Sequence, residues 1–105
     1  YVGLGNDFAS GGSGRDYIEG GDGNDQIFGD AGNDKLCGGT GNDYISGGEN
    51  NDLIYGNDGN DSISGGNGDD KLYGNTGNDI ISDLPTFFLI FFTKKRVFLY
   101  IKICY

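Results

Sequence analysis

From Val2 to Ser82 the apolar residues keep a period of nine. A small or branched aliphatic side chain returns at Ala9, Ile18, Ile27, Leu36, Ile45, Ile54, Ile63, Leu72 and Ile81. Its two neighbours are more often polar, as in Tyr44-Ile45-Ser46. Such a triplet predicts a three-residue strand whose middle side chain points inward. The residues before it, as in Gly20-Gly21-Asp22-Gly23-Asn24, predict a turn that reaches positive φ and brings backbone close to a ligand. One nonapeptide is then a turn plus a strand, and two nonapeptides make one full coil. The expected architecture is all-β: two short parallel sheets facing each other, turns along both edges, each coil rising by about 4.8 Å. No single unit can bury its own apolar side, so stability has to come from stacking.

The register is unbroken. Nine consecutive nonapeptides cover residues 2–82 without insertion. Position one is Gly in eight of nine, Val2 being the exception, and position four is Gly in eight of nine, Asn50 being the exception. Position six is Asp in all nine. At position two, Asp30, Asn57 and Asn75 replace Gly. Asp and Asn tolerate left-handed backbone better than other non-glycines. Asp30, Asn50, Asn57 and Asn75 are therefore expected to keep their turns, and the turn that starts at Val2 is the weakest.

Composition alone would suggest a disordered chain, since all 22 glycines fall within residues 3–77 and the segment is acidic. A solvated linker has no reason to hold one aliphatic residue in register with one carboxylate, so disorder is expected only without metal. Residues 1–83 carry all 16 acids against Arg15, Lys35 and Lys71, a balance of −13. That charge repels nucleic acid and anionic membrane surfaces. The chain has no His, which removes histidine-based zinc sites and the commonest general base. Nine small aliphatics are too few to order a segment of this length, and stacked carboxylates repel one another. A cation must sit between the turns. Carboxylates and backbone carbonyls are hard donors suited to calcium; magnesium wants a tighter octahedron, and zinc prefers His or Cys.

The consensus Gly-Gly-x-Gly-x-Asp-x-aliphatic-x resembles the RTX (hemolysin-type) calcium-binding nonapeptide, over residues 2–82. The resemblance implies a parallel β-roll, a right-handed β-solenoid with two nonapeptides per coil, that binds Ca²⁺ between turns one full coil apart. It also implies a secreted or cell-surface bacterial protein whose repeats fold after export. Carried onto this chain, the metal residues are Asp7, Asp16, Asp25, Asp34, Asp43, Asp52, Asp61, Asp70 and Asp79. Backbone carbonyls would come from the turns around Gly11, Gly12, Gly14, Gly20, Gly21, Gly23, Gly29, Gly32, Gly38, Gly39, Gly41, Gly47, Gly48, Gly56, Gly59, Gly65, Gly66 and Gly68. One edge pairs Asp7 with Asp25, then Asp43, Asp61 and Asp79; the other pairs Asp16 with Asp34, then Asp52 and Asp70. That allows up to about seven inter-turn sites, whose +14 nearly cancels the −13 of residues 1–83. The terminal aspartates Asp7, Asp16, Asp70 and Asp79, with a partner on one side only, should bind most weakly.

Other chemistries fit less well. Gly39-Thr40-Gly41 is followed by Asp43 and no helix, which disfavours phosphate. No Glu stands at the twelfth position of an EF-hand loop. The carboxylates form a ladder without a distinguished pair, so glycosidase chemistry and an enzymatic role are not expected. The rival reading is an adhesive solenoid whose outer face binds a surface or a carbohydrate. The irregular outward series Phe8, Gln26, Tyr44, Ser62 and Ile80 argues against it. On the other face Tyr55 and Tyr73 should lie one above the other, as a cross-strand stack or as a platform for a partner or for the tail.

After Asp83 the composition changes. Residues 84–105 have no Gly and no acid, and carry Lys94, Lys95, Arg96 and Lys102. Their unbroken apolar runs, Phe87–Phe92 and Val97–Ile101, are too short for a membrane span. The alternation of Val97, Leu99, Ile101 and Ile103 favours a strand. Three readings stand side by side: a cap on the last coil, an export signal, or a frameshifted or truncated end. The chain opens on Tyr1, the last position of a preceding repeat, and is expected to continue a longer protein with its active part upstream. Cys37 and Cys104 fix no redox compartment, and a bridge between them is one option.

Overall fold

A computed structural model of the chain describes residues 1–82. The cap, export and truncation readings of residues 84–105, and the strand expected there, lie outside the described residues. Ten strands run in chain order: β1 Gly3–Leu4, β2 Phe8–Ser10, β3 Tyr17–Asp22, β4 Gln26–Phe28, β5 Lys35–Thr40, β6 Tyr44–Gly48, β7 Leu53–Asn57, β8 Ser62–Gly66, β9 Lys71–Tyr73 and β10 Ile80–Ser82. Odd strands form one sheet in the order β1-β3-β5-β7-β9, and even strands form the other in the order β2-β4-β6-β8-β10. Every pairing between these strands is parallel.

The register is constant: each residue pairs with the one two nonapeptides further along the chain. Ile18 pairs with Leu36, Leu36 with Ile54 and Ile54 with Leu72 in one sheet. Ala9, Ile27, Ile45, Ile63 and Ile81 form the matching column in the other. The two columns face each other and make the core. Ile27, Leu36, Ile45 and Ile54 are completely buried, while Ala9 and Ile81 at the ends are partly exposed. Among the described residues no helix is long and apolar enough to cross a membrane.

The central strands are longer than the triplet predicts. β3 and β5 have six residues and β6, β7 and β8 have five. They run on through positions one and two because those backbones remain in register with the next coil, as Gly21 with Gly39 and Gly48 with Gly66. The positive-φ positions fall where expected. Asp30 (φ 71°), Asn50 (73°), Asn57 (70°) and Asn75 (66°) adopt the left-handed conformation that glycine holds elsewhere in the repeat.

Core position follows from this stack. Ile45→Ala removes a fully buried side chain between Ile27 and Ile63 and is expected to cost about 2–5 kcal/mol. Ile81→Ala, in the last strand, should cost less than half as much. Urea unfolding of both variants in calcium checks the ranking, and equal losses would contradict a core centred on the middle coils.

Candidate metal centre

Position six builds the inside of each turn. Asp25, Asp34, Asp43, Asp52 and Asp61 are at most 3 % exposed. One oxygen of each carboxylate, Oδ1, accepts the backbone N–H of the aspartate one coil earlier. Along one edge Asp7 donates to Asp25 and Asp25 to Asp43 at 2.8 Å, and Asp43 to Asp61 and Asp61 to Asp79 at 2.9 Å. Along the other, Asp16 donates to Asp34 and Asp52 to Asp70 at 2.8 Å, and Asp34 to Asp52 at 2.9 Å. The structure thus brings the nine aspartates into the two columns that the two-nonapeptide spacing predicts.

The second oxygen is different. Oδ2 of Asp7, Asp16, Asp25, Asp34, Asp43, Asp52 and Asp61 is buried and accepts no hydrogen bond. A buried acceptor left in this state costs about 1–3 kcal/mol, and more when it is charged. Each of these oxygens from Asp16 to Asp61 faces space that the position-one glycine of its own turn leaves open. A Cβ built on Gly20 would lie 2.5 Å from Asp25 Oδ2 and 2.6 Å from the carbonyl oxygen of Gly38. On Gly29 it would lie 2.6 Å from Asp34 Oδ2 and 2.7 Å from the Gly47 oxygen, and on Gly11 it would lie 2.7 Å from Asp16 Oδ2 and 3.0 Å from the Gly29 oxygen. The same convergence recurs at Gly38, Gly47 and Gly56 with the carbonyls of Gly56, Gly65 and Gly74. Each such space therefore gathers an orphaned carboxylate oxygen and a backbone carbonyl from the next coil, whose two lone pairs leave it able to bind a cation as well. Among the described residues no three His, Cys, Asp or Glu side chains converge. A cation here would complete its shell with carbonyls and water, an oxygen-only set that fits calcium.

The glycines at positions two and four serve stacking. Gly39 and Gly41 have φ of 100° and 104°, and a Cβ on either would strike the carbonyl of Gly21 or Gly23 one coil earlier. Position one is therefore the informative place for a substitution. Gly38→Ala places a methyl group against the Asp43 carboxylate and 2.8 Å from the Gly56 oxygen. It is expected to remove one bound ion from the stoichiometry measured by calorimetry. An unchanged ion count would detach position one from the site.

Burial also sets the charge state of the columns. Asp43 and Asp61 are pushed up to about 7 and Asp52 to about 6, mainly because burial disfavours the ionised form. The backbone N–H at Oδ1 opposes this, and the neighbouring aspartate of the column adds to it. Asp25 and Asp34 are raised for the same reasons. The middle of each column is thus the most hostile place for an uncompensated negative charge.

Two features of the turns are absent from the sequence reading. Gly74 supplies the carbonyl beside Asp61, and its position in the ninth repeat was signal enough to find it. Position five, Asn in seven of nine repeats, forms a ladder of its own. Asn6 Oδ1 accepts from the backbone of Asn24, Asn24 from Asn42, Asn42 from Asn60 and Asn60 from Asn78, at 2.7–2.8 Å. Asn33 and Asn51 do the same on the other edge. Asparagine side chains reach forward one coil while aspartate side chains reach back, so both stitch consecutive turns together.

The model of the family described as RTX calcium-binding nonapeptide repeat (4 copies) matches residues 1–36, 38–63 and 55–82. No curated protein and no solved structure matches the chain. With the period of nine, the parallel roll and the two aspartate columns in place, the chain belongs to the RTX calcium-binding nonapeptide repeat family, and its repeats form a calcium-binding module.

Proposed function

We propose that residues 1–83 are a calcium-dependent folding module of an exported protein, and that the module has no reaction of its own. Ions occupy the spaces between turns one coil apart, up to seven in all, with Asp7, Asp16, Asp25, Asp34, Asp43, Asp52, Asp61, Asp70 and Asp79 as carboxylate ligands. The observation that carries this reading is the recurrent meeting of an orphaned Oδ2 with a position-one carbonyl. A divalent ion gives the Oδ2 atoms the partner they lack, takes the carbonyl as a further ligand, and offsets the −13 of the segment. Because the spaces exist only between stacked coils, binding energy is folding energy. In low calcium the carboxylates repel and the chain stays open, which suits passage through an export channel; outside the cell calcium closes the roll. The space above Val2 is the weakest, since a side chain stands there where the other turns have glycine.

Far-ultraviolet circular dichroism during a calcium titration tests this, with magnesium as control. A cooperative rise in β signal with calcium alone is expected. A chain already fully folded in chelator, or one equally folded by magnesium, would overturn the proposal.

A further inference from the structure

We propose that the calcium-loaded roll binds an acidic polysaccharide, one in which a uronate alternates with a neutral sugar, in the groove between one row of turns and the outer face of the odd-strand sheet. Arg15, Lys35 and Lys71 receive its carboxylates. The proposal rests on the calcium reading, because only the loaded module has a charge that admits a polyanion.

The argument begins with where the cations fall. Arg15, Lys35 and Lys71 are the only basic residues in 1–83, and the fold brings all three to one groove beside the Asp16, Asp34 and Asp52 column. The equivalent groove on the other edge, which includes Asn24, Gln26, Asn42 and Tyr44, has no cation in its lining. Lys35 and Lys71 share the position-seven column of the odd sheet, where Lys35 pairs with Leu53 and Leu53 with Lys71. They are two strand spacings apart, about 10 Å. Arg15 stands at position five of the turn one coil before Lys35. Lys35 Nζ lies 4.9 Å from the ring centroid of Tyr17 and 5.9 Å from that of Tyr55, which holds its ammonium on the wall. Among the described residues none of the three cations is paired with a carboxylate. The position-nine half of this face is closed in on itself: Cys37 is 3 % exposed, and Tyr55 stacks on Tyr73 with ring centroids 4.9 Å apart. The position-seven half is open, with Tyr17 48 % exposed.

The rest of the wall supplies donors. Asn33 and Asn51 give Oδ1 to the backbone N–H of the next coil, so each has Nδ2, a pure donor, to offer the groove. Carboxylates and hydroxyls accept from such groups, and an arginine takes a carboxylate with two parallel bonds. Spacing selects the polymer. Acids on one side of an extended peptide recur every second residue, about 6.7 Å, which falls short of the Lys35 to Lys71 separation. A glycan with one uronate per disaccharide repeats its carboxylate over a length close to that separation. Calcium sets the sign of the field. Up to seven ions bring +14 to a segment of −13, which leaves the loaded roll nearly neutral and its three cations dominant in their groove. Without the ions the aspartate column beside the groove repels an anion. Asp69, exposed on the same wall where Asn33 and Asn51 stand one and two coils earlier, is the opposing charge that remains.

The test uses the full chain in millimolar calcium at low ionic strength, with a fluorescent hyaluronan octasaccharide read by anisotropy. Saturable binding is expected in calcium and none in chelator. The double variant Lys35→Gln/Lys71→Gln should weaken it at least about tenfold, and Asp69→Asn should strengthen it about threefold. Neither variant alters a position-six aspartate, so circular dichroism of both in calcium should match the parent chain. Parent-like affinity in a folded double variant would put the anion elsewhere on the chain and overturn the assignment. Equal binding of a neutral oligosaccharide of the same length, or tighter binding of polyglutamate, would overturn the partner class. A chain that folds in calcium yet captures no octasaccharide sinks this proposal and leaves the calcium reading standing. A chain that does not fold in calcium takes both down.

Discussion

Asp43→Asn is expected to change stability in opposite directions with and without calcium. In chelator at neutral pH, Asp43 carries a buried oxygen with no donor, facing the Gly56 carbonyl across the space beside Gly38. Asparagine keeps the oxygen that accepts the Asp25 N–H and places an amide donor where the orphaned oxygen stood. That donor can reach the Gly56 carbonyl, so the orphaned acceptor is replaced by a group with a hydrogen-bond partner. Relief of a buried unpaired acceptor contributes about 1–3 kcal/mol, so the calcium-free variant should gain β structure relative to the parent chain. In calcium the same change removes a charged ligand from the centre of its column. Losing one site at a hundredfold saturation costs about 2.7 kcal/mol. Asp79→Asn, at the end of that column, should show the same signs with smaller size. Urea unfolding followed by circular dichroism, in chelator and in millimolar calcium, reads both effects. A variant less stable than the parent in both conditions would mean that Asp43 serves stacking alone.

Most of the fold was legible because the repeat writes each structural role nine times. The inward column from Ala9 to Ile81 and the two aspartate columns follow from spacing alone, as does the stacking of Tyr55 on Tyr73. Even the exceptions could be read, since Asp30, Asn50, Asn57 and Asn75 are the residues that reach φ near +70° most easily. Strand length was not legible. Gly47 and Gly48 look like turn residues by type, yet Gly48 pairs with Gly66 in the sheet. Parallel stacking holds that backbone extended whatever its intrinsic preference. The division of labour within each carboxylate was also hidden. Spacing shows that Asp25 and Asp43 meet, but only coordinates separate the oxygen that accepts an N–H from the one left for a cation. The role of position-one glycine, an open space beside that second oxygen, needed the same information. The burial of Cys37 was beyond reach too, because an outward position on a strand is normally wet.

Acidification should stabilise the calcium-free roll and weaken its hold on calcium. Asp43 and Asp61 rise to about 7 and Asp52 to about 6 in the folded chain, against 3.8 for an unperturbed aspartate. Burial is the main cause, so the folded state prefers these carboxyls protonated. Between about pH 4 and pH 7 the ion-free folded chain therefore holds protons that the unfolded chain has released, and stability falls as pH rises. The contribution is fully present below the unfolded value and is lost on passing through about pH 7. In chelator the β signal should accordingly be stronger at pH 5 than at pH 8. With calcium the ordering reverses, because each ion must displace the protons that burial has retained. The apparent affinity of a central site should drop about tenfold for each pH unit below about 7, one proton being exchanged per ion. Calcium titrations at pH 5, 6, 7 and 8 with a chelator baseline at each would show both trends in one data set. A chelated chain that gains stability from pH 5 to pH 8 would mean that the buried carboxylates are neutralised by something other than protons. The assignment of the orphaned oxygens to a cation would then fail with it.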